Sequence, residues 1–199
     1  MSLTPQPLSR FNLADTNILL VQSSTTEGDI YSQMLSGFGA KHVLRVETLE
    51  AARSQLAGER FDLILTDVKL SDGDGYEFVR TLRRGARHPN IFAPVLMLAG
   101  HTPRARVELA RDCGAHFVIS KPVSPAVLLE RILWIARETR PFVECEVYVG
   151  PERRFKFEGP PNGVGRRMTD LNGELGQAQE PNLEQTEVDQ LLQPQKVST

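Results

Sequence analysis

The stretch Phe61-Asp62-Leu63-Ile64-Leu65-Thr66-Asp67-Val68-Lys69-Leu70-Ser71-Asp72-Gly73-Asp74-Gly75 decides the fold. It begins with a short apolar run, Phe61–Leu65, and then turns polar at an acid, Asp67. Apolar runs of this length, rich in Ile, Leu and Val, fit strands buried on both faces of a parallel sheet. After the polar loop, Asp74-Gly75-Tyr76-Glu77 reads as a capping-box-like helix start, followed by Phe78, Val79 and Leu82.

The same unit recurs in both directions along the chain. Apolar runs lie at Asn17–Val21, Pro94–Leu98 and Phe117–Ile119, with a weaker one at Val43–Val46. Helical patterns fill the gaps. Glu27–Phe38 carries Ile30, Met34, Leu35 and Phe38, and Leu49–Ala57 carries Ala52 and Leu56. Thr102-Pro103 reads as a cap followed by proline in the first turn, with Gly114 as the stop. Ser124-Pro125 repeats that start, and its helix is expected to run to about Arg140. Alternating strands and helices joined by short loops predict an α/β fold, a parallel sheet wrapped on both sides. Ligand chemistry in such folds sits at the carboxyl ends of the strands. The residues there are Gln22-Ser23, Asp67, Ala99-Gly100 and Ser120-Lys121.

Those strand ends carry a resemblance. Residues 17–140 resemble the CheY-like receiver domain of response regulators in two-component signalling. Asp67 with its loop to Gly75 matches the phosphoacceptor strand and loop, apart from Ser71 where the family usually has proline. Lys121-Pro122 matches the family's Lys-Pro, whose bond is usually cis. The resemblance implies a flavodoxin-like (βα)5 doubly wound sheet of order 2-1-3-4-5, followed here by a C-terminal extension. It implies a signalling module rather than an enzyme, with Asp67 as phosphoacceptor and Lys121 as the phosphate-pairing lysine.

Four positions depart from the family pattern. The acidic pair that helps hold Mg2+ after the first strand is Gln22 and Ser23, which offer only neutral oxygens. The hydroxyl position after the fourth strand is Ala99, and the aromatic switch position is Val118, beside Phe117. The expectation is a degenerate, or pseudo-, receiver that holds no metal and no other cofactor, with Asp67 and Lys121 in a salt bridge. The alternative is a working phosphorelay receiver that uses Mg2+ and phosphorylates Asp67.

Composition narrows the remaining classes. The 199 residues are 40% hydrophobic and 24% charged, with a net charge of −2, which is ordinary for a globular protein. No apolar run approaches the ~20 residues of a membrane span. The N-terminus, with Pro5, Pro7 and Arg10, lacks a secretory apolar core. Two cysteines, Cys113 and Cys145, make no disulfide framework. A cytoplasmic location is expected. The four histidines show no ligand spacing, and Ser71–Gly75 fails as a calcium loop because Leu70 and Thr81 fall at ligand positions.

Residues 1–16 read as a flexible arm, 17–140 as the receiver domain, 141–170 as a strand with an Arg-rich extension, and 171–199 as a largely disordered acidic and Gln-rich tail. On the last receiver helix, Leu128, Leu129, Ile132, Leu133, Ile135 and Ala136 form the expected core face. Val127, Arg131 and Trp134 lie opposite. They are either covered by a strand read from the alternation of Val143, Cys145, Val147 and Val149, or left as a partner surface.

Gly150-Pro151-Glu152-Arg153-Arg154 and the later Gly165-Arg166-Arg167 resemble an extension found on some alphaproteobacterial receivers. Arg153, Arg154, Arg166 and Arg167 read either as a solvated basic stretch or as a site for a nucleotide or RNA. Leu183–Leu192 reads as a short amphipathic helix with Val188 and Leu192 in one stripe. It is similar to the Glu-Ile-Asp-Ala-Leu-Leu peptide of a flagellar switch protein that docks on chemotaxis receivers. It is either a docking motif for another receiver, or for this one in cis, or a chance match. The functional expectation is a signalling adaptor acting through protein contacts, with no membrane and no DNA-binding domain. Its partners would be a histidine kinase, another receiver, a flagellar or chemotaxis component, or a second copy.

Overall fold

The computed structural model describes residues 12–85, 90–137 and 141–152, together with Gln185, Thr186 and Val188 of the tail. Five strands form one sheet: β1 (Asn17–Val21), β2 (His42–Val46), β3 (Leu63–Asp67), β6 (Val95–Ala99) and β7 (Phe117–Ser120). Two-residue strands β4 (Lys69–Leu70) and β5 (Gly73–Asp74) pair as a small antiparallel ribbon between β3 and the next helix. The helices are α1 (Thr25–Gly37), α2 (Leu49–Gly58), α3 (Gly75–Arg84), α4 (Arg104–Asp112) and α5 (Pro125–Ala136). The sheet is parallel in order β2-β1-β3-β6-β7, the expected 2-1-3-4-5 once the five long strands alone are numbered.

The apolar runs are the central strands. Every residue from Ile18 to Val21, from Leu63 to Leu65 and from Val95 to Leu98 is at most 3% exposed. Burial on both faces explains why these strands are continuous apolar runs instead of alternating ones. β2, at one edge, is only half-buried, which matches its weaker sequence signal.

Helix starts follow short polar side chains. Ser24, Thr48, Asp74 and Ser124 each accept a hydrogen bond from a first-turn amide of α1, α2, α3 and α5. Asp72 reaches across from the loop after β4 and accepts from the amides of Leu49 and Glu50, both at 3.0 Å. That ties the N-terminus of α2 to the loop beyond Asp67. α4 starts one residue later than its motif suggests: Pro103 is the N-cap with no side-chain bond, and Thr102 is buried. Gly75 is needed for close approach, because a Cβ there would lie 2.3 Å from the Asp67 carbonyl oxygen.

Two expectations about the last third of the chain are corrected. The alternation across 143–149 is not one strand but a hairpin, β8 (Phe142–Cys145) paired with β9 (Tyr148–Pro151). Val147 sits in its turn and is 73% exposed, while Tyr148 is buried. The hairpin is a separate two-stranded sheet and does not extend the five-stranded one. It packs by α3 and the start of β7, where Phe142 meets Phe92 edge-on at 4.9 Å and Arg83 lies 5.2 Å from the Phe142 ring centre. The buried face of α5 is also rotated from the expected one. Leu128, Arg131 and Ile132 are buried, Leu129 and Leu133 are half-buried and Ala136 is exposed.

Arg83 joins these parts. It is 2% exposed, and its guanidinium donates to the carbonyls of Gly114 at 3.0 Å, Ala93 at 2.8 Å and Ile91. Burial pulls its pKa down to about 10. Five fixed donors let one arginine satisfy three carbonyls at the start of β6 and β7, which a lysine cannot copy. Arg83→Met is expected to lower stability by about 3 kcal/mol, since it orphans three buried acceptors. Urea unfolding should show this as a lower midpoint.

Candidate functional site

Asp67 ends β3 and Lys121 follows β7, so two parallel strands two positions apart in the sheet bring them to one mouth. The Lys121-Pro122 bond is cis, as the Lys-Pro resemblance implies. Lys121 Nζ lies 2.7 Å from Asp67 Oδ1 and 2.5 Å from Glu27 Oε2. Asp67 is largely buried and Lys121 is 18% exposed at its side chain. The expected salt bridge is therefore half of a three-member cluster.

Glu27 is the member that sequence reasoning missed. Reading α1 from Glu27 onward made it a surface helix start. The true start is set by Ser24, whose Oγ accepts from the Glu27 amide at 3.3 Å. Ser24-Thr25-Thr26-Glu27 has the spacing of a capping box, and that was the available signal. The Glu27 carboxylate here turns to the strand ends, where Gln22 Nε2 donates to the same Oε2 at 3.0 Å.

The other positions are distributed around this cluster. Gln22 is fully buried just after β1, with its Oε1 lacking a hydrogen-bond partner, and Ser23 beside it is exposed. Ala99 closes β6 at 2% exposure, and Val118 is buried in β7. Phe117 packs edge-on against Trp134 at 4.5 Å, and the Arg131 guanidinium lies 5.9 Å from its ring centre. Of the proposed partner surface, Arg131 is buried and Val127 and Trp134 are half-buried against the core. Arg153, Arg154, Arg166 and Arg167 lie outside the described residues.

Charge and burial compete here. Burial pushes the Asp67 carboxyl up, and Glu27 adds to that; Lys121 and Gln22 pull it back without cancelling it. Burial lowers the Lys121 pKa, but Asp67 and Glu27 outweigh that and hold it above the ordinary 10.5. Mg2+ demands near-octahedral oxygen ligation. The donors present are two carboxylates, both engaged by Lys121, and neutral side chains after β1. No cluster of three His, Cys, Asp or Glu suited to a metal occurs among the described residues. This set does not fit a tightly held Mg2+.

A cleft opens above Asp67. Glu27, Asp67 and Lys121 line it together with Lys69, His101 and Arg106.

The comparisons with known proteins agree with this fold. A family model described as the response regulator receiver domain matches residues 18–133, more than half of the chain, and the chain belongs to that family. It is 32% identical over 117 residues to the KDP operon transcriptional regulatory protein KdpE of Escherichia coli, covering 59% of this chain and 49% of that protein. The chain thus spans about half the length of that relative, and only 28% of the response regulator protein PilR of Pseudomonas aeruginosa. With chemotaxis protein CheY1 of Helicobacter pylori it shares 29% identity over 116 residues, 58% of this chain and 92% of that one. The structure of chemotaxis response regulator CheY4 of Vibrio cholerae superposes with a TM-score of 0.56 at 27% identity, covering 60% of this chain and 98% of that chain. Among the described residues, no helix is long and apolar enough to cross a membrane.

The pKa directions set a pH signature. Asp67, held above its ordinary value of 3.8, favours the fold when protonated and loses that contribution as pH rises through its folded pKa. Lys121 favours the fold through neutral pH and loses its contribution only as pH climbs through its own raised pKa. Lys121→Met leaves Asp67 as a nearly buried carboxylate without its cation, and is expected to cost about 2 kcal/mol near neutrality. That cost should shrink as pH falls through the raised folded pKa of Asp67, where its carboxyl takes up a proton. Asp67→Asn with Lys121→Met should recover part of the loss. Urea titrations across pH check all three outcomes.

Proposed function

We propose that this receiver is a signalling adaptor that acts through protein contacts, with phosphoryl transfer to Asp67 impaired or absent. The observation that carries the reading is the double engagement of Lys121. Its ammonium is divided between Asp67 and Glu27, and Glu27 is itself held by Gln22. In a receiver that works on phosphate, acids after the first strand gather a metal ion and the lysine meets the incoming group. Here Gln22 and Ser23 stand in those places, and an internal carboxylate has taken the lysine's second contact. Ala99 adds no hydroxyl for a phosphoryl oxygen. The partners that fit such a protein are a histidine kinase, another receiver or a flagellar component in the cytoplasm.

One observation favours the second reading, a phosphorelay receiver using Asp67. The cleft over Asp67 is open and carries Lys69 and Arg106 as well as Lys121. These cations offset part of the charge that a phosphoryl group brings. Incubation of the full chain with acetyl phosphate and Mg2+, followed by intact-mass measurement, separates the two. The adaptor reading expects no stoichiometric gain of one phosphoryl group. A gain that disappears in Asp67→Asn would replace it with the second reading.

A further inference from the structure

The described part of the tail is short but specifically placed. Gln185, Thr186 and Val188 are helical, and Val188 is 0% exposed within the main hydrophobic cluster. Gln185 sets its carboxamide on β7. Its Oε1 accepts from the Ser120 amide at 2.8 Å and from Ser120 Oγ at 2.9 Å, and its Nε2 donates to the Val118 carbonyl at 3.3 Å.

The position of these contacts in the sheet explains them. β7 is an edge strand and pairs with β6 on its inner side. The Lys121 amide donates inward to Ala99 O at 2.8 Å, so the intervening backbone groups of Val118 and Ser120 face outward. An open strand edge presents donors and acceptors that invite another chain. A carboxamide has one acceptor and a donor side by side, like a peptide group, and it meets both outward groups at once. Residues three apart on a helix share a face. One turn therefore lays Gln185 on the strand edge and Val188 into the apolar cluster together.

We propose that the segment carrying Gln185 and Val188 is this receiver's own intrachain ligand, and that the β7 edge beneath it is a docking surface. The surface takes a helical turn bearing a carboxamide side chain, followed three residues later by an aliphatic one. The occupant is the chain's own segment. A partner helix of the same chemistry must displace it. Isolated helices this short are marginal, so the turn owes its order to the edge it sits on. The proposal does not depend on whether Asp67 accepts a phosphoryl group.

Amide hydrogen exchange on the full-length chain tests the contact. Gln185→Ala should speed exchange at the Ser120 amide by about tenfold, the scale of one lost hydrogen bond. The Lys121 amide, bonded inside the sheet, should change less than about twofold. No acceleration at Ser120, or equal acceleration at both amides, would overturn the proposal. A labelled peptide spanning residues 181–194 tests the surface. It should bind full-length Val188→Asp at least about tenfold more tightly than the wild-type chain, whose own segment fills the edge. Equal binding to the two, or no binding to the variant, overturns the docking surface.

Discussion

One ammonium serving two carboxylates is the constraint around which the mouth of this sheet is arranged. Lys121 must come off the end of β7 at the right place, which the register with β6 and the turn into Pro122 provide. Asp67 must end β3 facing it, and the absent side chain at Gly75 lets the next helix begin against the Asp67 carbonyl. Glu27 must stand in the first turn of α1, where the Ser24 cap puts it. With a second acid after β1 the negative charge would exceed what one lysine offsets in a half-buried setting. Neutral Gln22, donating to Glu27, keeps the cluster near balance.

The other end of the sheet solves a different problem with a different cation. Arg83 gathers main-chain carbonyls where β6 and β7 begin and lies over the Phe142 ring of the hairpin. Its role is geometric, holding loop ends that cannot pair with each other. Lys121 is electrostatic, and its replacement changes a charge balance. The molecule thus separates a firmly tied base from a polar mouth whose side chains depend on one another, the usual division between scaffold and site.

The strands were legible because burial on both faces leaves nothing but apolar residues, and the Asp67 and Lys121 positions followed from the ends of those runs. Gly114 stopping α4 was equally direct, since its φ of 93° is cheap only for glycine. Glu27 was not read because a helix start placed two residues late makes it look like a solvent-facing acid. The hairpin was missed because period two continues through its turn: Glu146 and Val147 preserve the alternation while the chain reverses. The rotation of α5 was hidden by Arg131, whose guanidinium lies over the Phe117 ring and reaches Glu130, so a charged residue lies on the buried face. Tail contacts of Gln185 have no signature at all in a polar stretch, because their meaning lies in the strand edge they find.

Covalent attachment changes the kind of competition that takes place at that edge. From Glu152 to Gln185 the chain has 33 peptide steps, a reach of at most ~120 Å, against a strand of 4 residues. Occupancy of β7 by Gln185 is therefore a first-order equilibrium, the same in a dilute and a crowded cell. A rival segment on another protein binds in second order, against an internal ligand whose effective concentration is on the order of millimolar. The edge thus fills with a partner along an ordinary saturation curve whose midpoint the internal ligand raises, so a sparse or weak binder leaves it closed and a concentrated one opens it.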